Sequence, residues 1–262
     1  MAHTAAIPST SRALSWRAAA VALIVYAAFL ATTAPASLLA WMLAFATKNA
    51  IALEHPQGSV WHGHAAALVV KLPSGSTHRF ERLHWESLAA RLLLGEFAAR
   101  VHFDGPRLRG SGNVTLCRDG LRFSAAHFRL PASSLATYWP AISATGLRGE
   151  IALRSDHLEL VDARPGGKAV IVWRDAGTVL SSVSAIGEYE ALVTSNGARV
   201  EFRIETRGGP LRVEGHGDWS SQGLAFEGTA RAAPEYRTQL ADVLQFVGPE
   251  RGFGIHQINL RR

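Results

Sequence analysis

The side chains best able to do metal or nucleophilic chemistry in this chain of 262 residues are eleven histidines and a single cysteine. His62 and His64 stand two apart in a segment that reads as a strand, so both imidazoles fall on one face. A structural or catalytic zinc needs three or four ligands, and no nearby carboxylate or cysteine in the sequence completes the pair. His216, between Gly215 and Gly217, reads as a turn or bulge residue, and Cys117, ending the strand-like stretch 113–117, as a small buried apolar side chain. Gly110-Ser111-Gly112 lacks the G-x-S-x-G frame of a nucleophile elbow, and neither a phosphate loop nor a dinucleotide fingerprint occurs. Asn113-Val114-Thr115 matches a glycosylation acceptor, which matters only on a eukaryotic secretory route. The expectation is no catalytic, cofactor-binding or metal-binding residue and no enzyme, since no cluster joins a nucleophile to a base.

Composition narrows the class. Hydrophobic residues are 48% and charged residues 18%, which excludes intrinsic disorder, and one cysteine excludes a disulfide framework. The length allows one or two domains with a sizeable core. The net charge of +6 invites a nucleic-acid reading, but Arg12 and Arg17 supply two of those charges. The remaining +4 is spread over 245 residues without a Lys/Arg run, and the arginines alternate with apolar residues as on a wet strand face. No nucleic-acid partner is expected.

The apolar excess is concentrated at the N-terminus. Residues 18–47 carry no charged side chain, Arg12 and Arg17 precede them, and the first acid is Glu54. A helix over 18–34 would be roughly 26 Å long, close to a hydrocarbon core, with Pro35 marking a break. Trp41 and Lys48 suit the far interface. One reading is a cleaved signal peptide with Ala34-Pro35-Ala36 as the small-residue site; the other is an uncleaved anchor. The proline inside that site and the apolar run beyond it favour the anchor. Both put residues 1–17 in the cytoplasm and residues 48–262 outside it, which in a bacterium is the periplasm.

Beyond Lys48 the dominant period is two. In residues 199–205 every even position is apolar and every odd one charged, the mark of a strand with one buried face. Leu147, Ile151 and Leu153 alternate in the same way with Arg148, Glu150 and Arg154. Asn196-Gly197 predicts a tight type I′ hairpin, and further turns are expected at Ser74-Gly75, Asp104-Gly105-Pro106, Asp119-Gly120, Gly166-Gly167 and Gly208-Gly209-Pro210. Short helices are expected over 88–94, 132–139 and 234–247, the last with a stripe of Tyr236, Leu240, Val243, Leu244 and Val247. Gly-Glu-aromatic-x-Ala-x-Val-x-x-x-Gly occurs at 95–105 and again at 187–197, and Gly120-Leu121-x-Phe123 before Pro131 recurs as Gly223-Leu224-x-Phe226 before Pro234. Trp85 and Trp173 precede the first match in each copy. The pattern predicts a mainly β protein: an N-terminal transmembrane helix within 18–47, then two related antiparallel β units with short helices, 48–145 and 146–262. The second copy is longer by about one hairpin near 198–209. Trp61, Trp85 and Trp173 are expected to be sheet anchors.

Several of these residues carry a family resemblance. Pro56-Gln57-Gly58-Ser59-Val60-Trp61-His62-Gly63 follows the apolar segment, Leu83-x-Trp85 and the Leu92 to Gly95 run come next, then Val172-Trp173-Arg174-Asp175-Ala176, Gly208-Gly209-Pro210-Leu211 and Val247-Gly248-Pro249. This order resembles the type II secretion system protein N family. The resemblance covers the chain from about residue 18 and implies an inner-membrane protein, its bulk periplasmic, that supports export of folded proteins through contacts with other secretion components. It implies no catalytic residue. A looser similarity to AsmA-like envelope proteins implies the alternative of a lipid- or amphiphile-binding module. Strands with one apolar side close into a dry core or line an open groove, and periodicity alone separates neither.

Overall fold

The computed structural model describes residues 12–71, 75–88, 91, 96–117, 120–138, 144–161 and 164–261. Helix α1 (Arg12–Thr32) is followed by α2 (Ala36–Ala46), with Pro35 extended between them. Among the described residues no helix is long and apolar enough to cross a membrane. The first strands are β1 (Ile51–Glu54), β2 (Gln57–Gly58), β3 (His62–Lys71), β4 (Thr77–Ser87), β5 (Phe97–Asp104), β6 (Arg109–Cys117) and β7 (Gly120–Pro131). A 3-10 turn, Ala132–Ser134, then leads into α3 (Leu135–Tyr138). After it come β8 (Arg148–Val161), β9 (Arg164–Gly177), β10 (Gly187–Asn196), β11 (Val200–Gly208), β12 (Leu211–Ser220) and β13 (Gly223–Ala232). The chain closes with a 3-10 turn (Pro234–Tyr236), α4 (Ala241–Val247) and β14 (Ile255–Arg261).

Among the described residues all fourteen strands belong to one antiparallel sheet in chain order, with β2 pairing β3 beside β1. The expected β-rich meander is thus present, as a single layer. β7 and β8 pair from Gly120↔Val161 to Pro131↔Glu150, so the sheet runs unbroken across residue 145. The internal match takes a different form from the expectation. The extra length of the second copy is one strand, β11, and one strand reverses direction where a hairpin would restore it. Consequently β5 and β7 run the same way while β10 and β13 run oppositely. Trp85 stands opposite Val101, whereas Trp173 stands opposite Tyr189, the counterpart of Phe97, so the tryptophans also differ in register.

Local corrections have local causes. The hairpin at Asn196 is present, but only Gly197 has positive φ, at 90°. The Asn196 side chain accepts hydrogen bonds from the Ala198 and Arg199 amides, and the Asn196 amide donates to the Arg199 carbonyl. The turn residues are therefore Gly197 and Ala198, and only the first has the positive φ that a type I′ turn needs at both. Gly166 and Gly167 lie inside β9 and not in a turn, because pairing with β8 continues past them to Val161↔Arg164. His216 sits mid-strand in β12: its neighbours Gly215 and Gly217 leave room for aromatic rings, since a Cβ on either would stand 2.6 Å from Phe226 or Phe202. The helix expected over 88–94 lies mostly outside the described residues, and the one over 132–139 forms as the 3-10 turn and α3 up to Tyr138. In 234–247 the first turn is 3-10 and α-helix begins at Ala241.

Two apolar clusters lie on the same face. Ala36 and Leu39 of α2 pack over Ala65, Leu83, Trp85 and Phe103. At the other end Leu240, Val243 and Leu244 pack over Ala176, Tyr189, Leu211, Ala230 and Ala232, as the stripe predicted. The Tyr189 hydroxyl donates to the Leu211 carbonyl at 3.0 Å inside this cluster. Burial disfavours its phenolate and pushes its ionisation above the ordinary tyrosine range. A raised folded-state value means stability present below the unfolded value, about pH 10, and lost as pH rises through it. Melting temperature measured from pH 8 to 11.5 is therefore expected to fall at the alkaline end, and less steeply in Tyr189→Phe. Equal slopes would refute this.

Candidate interaction surface

Cross-strand register sorts the side chains into two faces, because directly paired residues point the same way. One row runs through twelve strands as Ala65, Leu83, Phe103, Gly110, Phe128, Leu153, Ile171, Ala191, Ile204, Gly215, Gly228 and Ile258. Eleven strand spacings make this row roughly 50 Å long. Its ends belong to the two helix-covered clusters. Leu153, Ile171, Ala191 and Ile204 belong to neither and are half-buried. Further along this face Phe202 and Phe226 stack at 5.8 Å, and Trp219 is 60% exposed.

The row on the opposite, outer face begins His64, His84, His102, Ser111, His127 and Arg154. The His62 and His64 rings do share this face, and His64 stacks on His84 at 5.8 Å. The sequence reading missed His84, His102 and His127 as neighbours because they come from strands 20 to 63 residues away. Even so, among the described residues no group of three or more His, Cys, Asp or Glu is placed to hold a metal ion. Ser111 stands between His102 and His127, yet no hydrogen bond joins it to either ring. Cys117 is half-buried at the end of β6, its sulfur 3.9 Å from a Glu96 carboxylate oxygen.

Arginines on this face are mostly answered by carboxylates: Arg79 meets Glu54 at 2.9 Å, Arg199 meets Asp218 at 2.7 Å, and Arg207 pairs with Glu190. The hydrogen bond from Arg199 holds the Asp218 carboxyl below its usual range. Such exposed pairs contribute little to stability. They neutralise the face where they occur, at β1 with β4 and over β10 to β12. The outer edges of β1 and β14 end the sheet and pair with no other strand among the described residues.

A family model described as type II secretion system (T2SS), protein N, matches residues 49–259. The chain belongs to this family. The matched span takes in the sheet from just before β1 to within β14, so the family signature is the meander itself. No curated protein and no solved structure matches the chain. For a member of the protein N family, an accessory role in type II secretion follows, together with an envelope location and contact with other secretion components. Trp85, quoted for the resemblance, is buried in the α2 cluster; Trp61 and Trp173 are half-buried.

Proposed function

We propose that the apolar N-terminal segment, residues 18–47, holds this protein at the inner membrane and that it works in the periplasm, where its sheet docks other secretion components during export of folded proteins. The family match over the whole sheet carries this reading. Three features support it. Arg17 lies in the N-terminal part of α1, ahead of Val21, Leu23, Ile24, Val25, Phe29 and Leu30, which are all exposed, an arrangement that suits lipid and a cytoplasmic N-terminus. The outer edges of β1 beyond Ile51 and of β14 beyond Gln257 offer backbone groups for strand addition, residues 249–251 bonding to the start of β14. Phe253, 91% exposed beside β14, offers an apolar contact at that edge.

A second reading, the binding of an acyl chain or other amphiphile, is favoured by the half-buried stretch Leu153, Ile171, Ala191 and Ile204, which lies between the two helix-covered clusters with no second sheet among the described residues. One preparation separates the two. Photo-crosslinking from position 253 or 259 in cells making the whole apparatus is expected to capture inner-membrane secretion components, with the protein itself resisting carbonate extraction. Mass spectrometry of the natively purified protein then reads bound phospholipid. Capture of no secretion component, together with normal export in a deletion strain, would end the docking reading. A lipid-free preparation would end the second.

A further inference from the structure

We propose that the outer face carries a binding site for a phosphate-class anion in the groove over β6 to β9. The groove has a volume of about 530 Å³ and is lined by five cationic or imidazole side chains: Arg109, His127, Arg129, Arg154 and Arg174. Register brings them together from four strands. Arg109 stands directly opposite Arg129, and His127 directly opposite Arg154. His127 and Arg129 are two apart on β7, so both pairs project from one face.

Like charges placed directly opposite across a sheet are destabilising. Elsewhere on this face some guanidiniums lie within 3 Å of a carboxylate, as in Arg79 with Glu54 and Arg199 with Asp218, while Arg261 with Glu227 and Arg203 with Glu205 stand 3.7 and 4.0 Å apart. In the groove the compensation is thin. Glu150 is 3.9 Å from Arg129 and Glu188 is 3.9 Å from Arg174, both at the limit of an ion pair. Arg109 and Arg154 make no ion pair among the described residues, Asp104 standing opposite Arg109 on β5. The groove therefore holds more positive charge than its own acids neutralise, at a place where the strands force that charge together.

Backbone geometry keeps it so. Gly110 has φ +143°, and a Cβ there would stand 2.0 Å from the His127 carbonyl oxygen. The absence of a side chain lets β6 approach β7 closely enough to set Arg109 beside Arg129. Several guanidinium forks converging from three or four strands suit a tetrahedral oxyanion with two or more negative charges, because each fork offers parallel N–H donors. A free phosphate compound and a phospholipid headgroup share that chemistry.

The test uses the purified full chain. Titration calorimetry with inorganic phosphate and with pyrophosphate reads the free ligands. Co-flotation with phosphatidylcholine vesicles, with and without phosphatidylglycerol, reads the headgroup, scored as the increment that phosphatidylglycerol adds. Arg109→Gln and Arg154→Gln are each expected to weaken binding about tenfold, as befits loss of one charge-assisted fork. Arg203→Gln, on the same face at β11 and outside the groove, is the control expected to change nothing. All three positions are exposed, and matching thermal melts confirm folding. Saturable pyrophosphate binding lost in both variants supports a soluble ligand; a phosphatidylglycerol increment lost in both supports a headgroup. No saturable binding in either arm, equal loss in Arg203→Gln, or equally tight binding of a tetraglutamate peptide would overturn the proposal.

Discussion

Leu240→Ala is expected to lower the unfolding free energy by about 3 kcal/mol, through lost transfer energy plus the cavity left behind. Leu240 is completely buried, and it is the largest side chain so enclosed among the described residues. It stands where the 3-10 turn passes into α4: its amide donates to the Tyr236 carbonyl at 3.0 Å and its carbonyl accepts from the Leu244 amide at 2.9 Å. The sheet beneath it offers small residues, Ala176, Ala230 and Ala232, so the leucine fills space that the strands leave. β13, which carries Ala230 and Ala232, is held by an unbroken ladder to β12 and by β14 as far as Arg231, and resists closing over a void. The cost should therefore sit well above a surface substitution. Phe246→Ala on the same helix, where the ring is 66% exposed, is the control and should stay within about 0.5 kcal/mol. Urea denaturation of the two variants checks both figures. Equal midpoints would show that α4 is not clamped to the sheet through Leu240.

That stripe was legible because helix periodicity is local. Tyr236, Leu240, Val243, Leu244 and Val247 declare a face without reference to any other segment, and the alternation at 199–205 did the same for β11. What escaped was whatever depends on which strand lies next to which. The histidine row and the arginine groove assemble residues from four strands or more, and no period in the sequence announces a register. Gly-Gly at 166–167 misled for a related reason: glycine signals both a turn and a strand without room for side chains, and only the partner strand decides between them. The duplicated motifs misled in turn because similarity of strands carries no count of the strands between them. One added strand, β11, preserves the motifs and reverses their relative direction.

The join between α2 and the sheet gives the other large effect. Trp85 is 4% exposed, and its indole N–H donates to the Ser59 carbonyl at 3.3 Å. The same short segment is tied down from both sides. Ser87 donates its hydroxyl to the Val60 carbonyl at 2.7 Å, and the Val60 amide donates to the Ala34 carbonyl at 2.9 Å, next to the Pro35↔Ser59 bridge. Trp85 also shares its apolar cluster with Ala36, the first residue of α2. Removing the indole thus opens a large cavity and unpins the segment that connects the N-terminal helices to β3. Trp85→Ala is expected to cost about 4 kcal/mol. For a domain of this size that corresponds to a fall of roughly 10 °C in melting temperature. Trp61 is only half-buried, so Trp61→Ala should lose clearly less. The comparison also bears on docking. If Trp61→Ala abolished export while leaving the melting temperature unchanged, Trp61 would be a partner-binding residue and not a sheet anchor. If Trp85→Ala melted like the wild type, α2 would not be coupled to the sheet through the indole. Export measured with both variants separates a weakened docking surface from a helix released from its base.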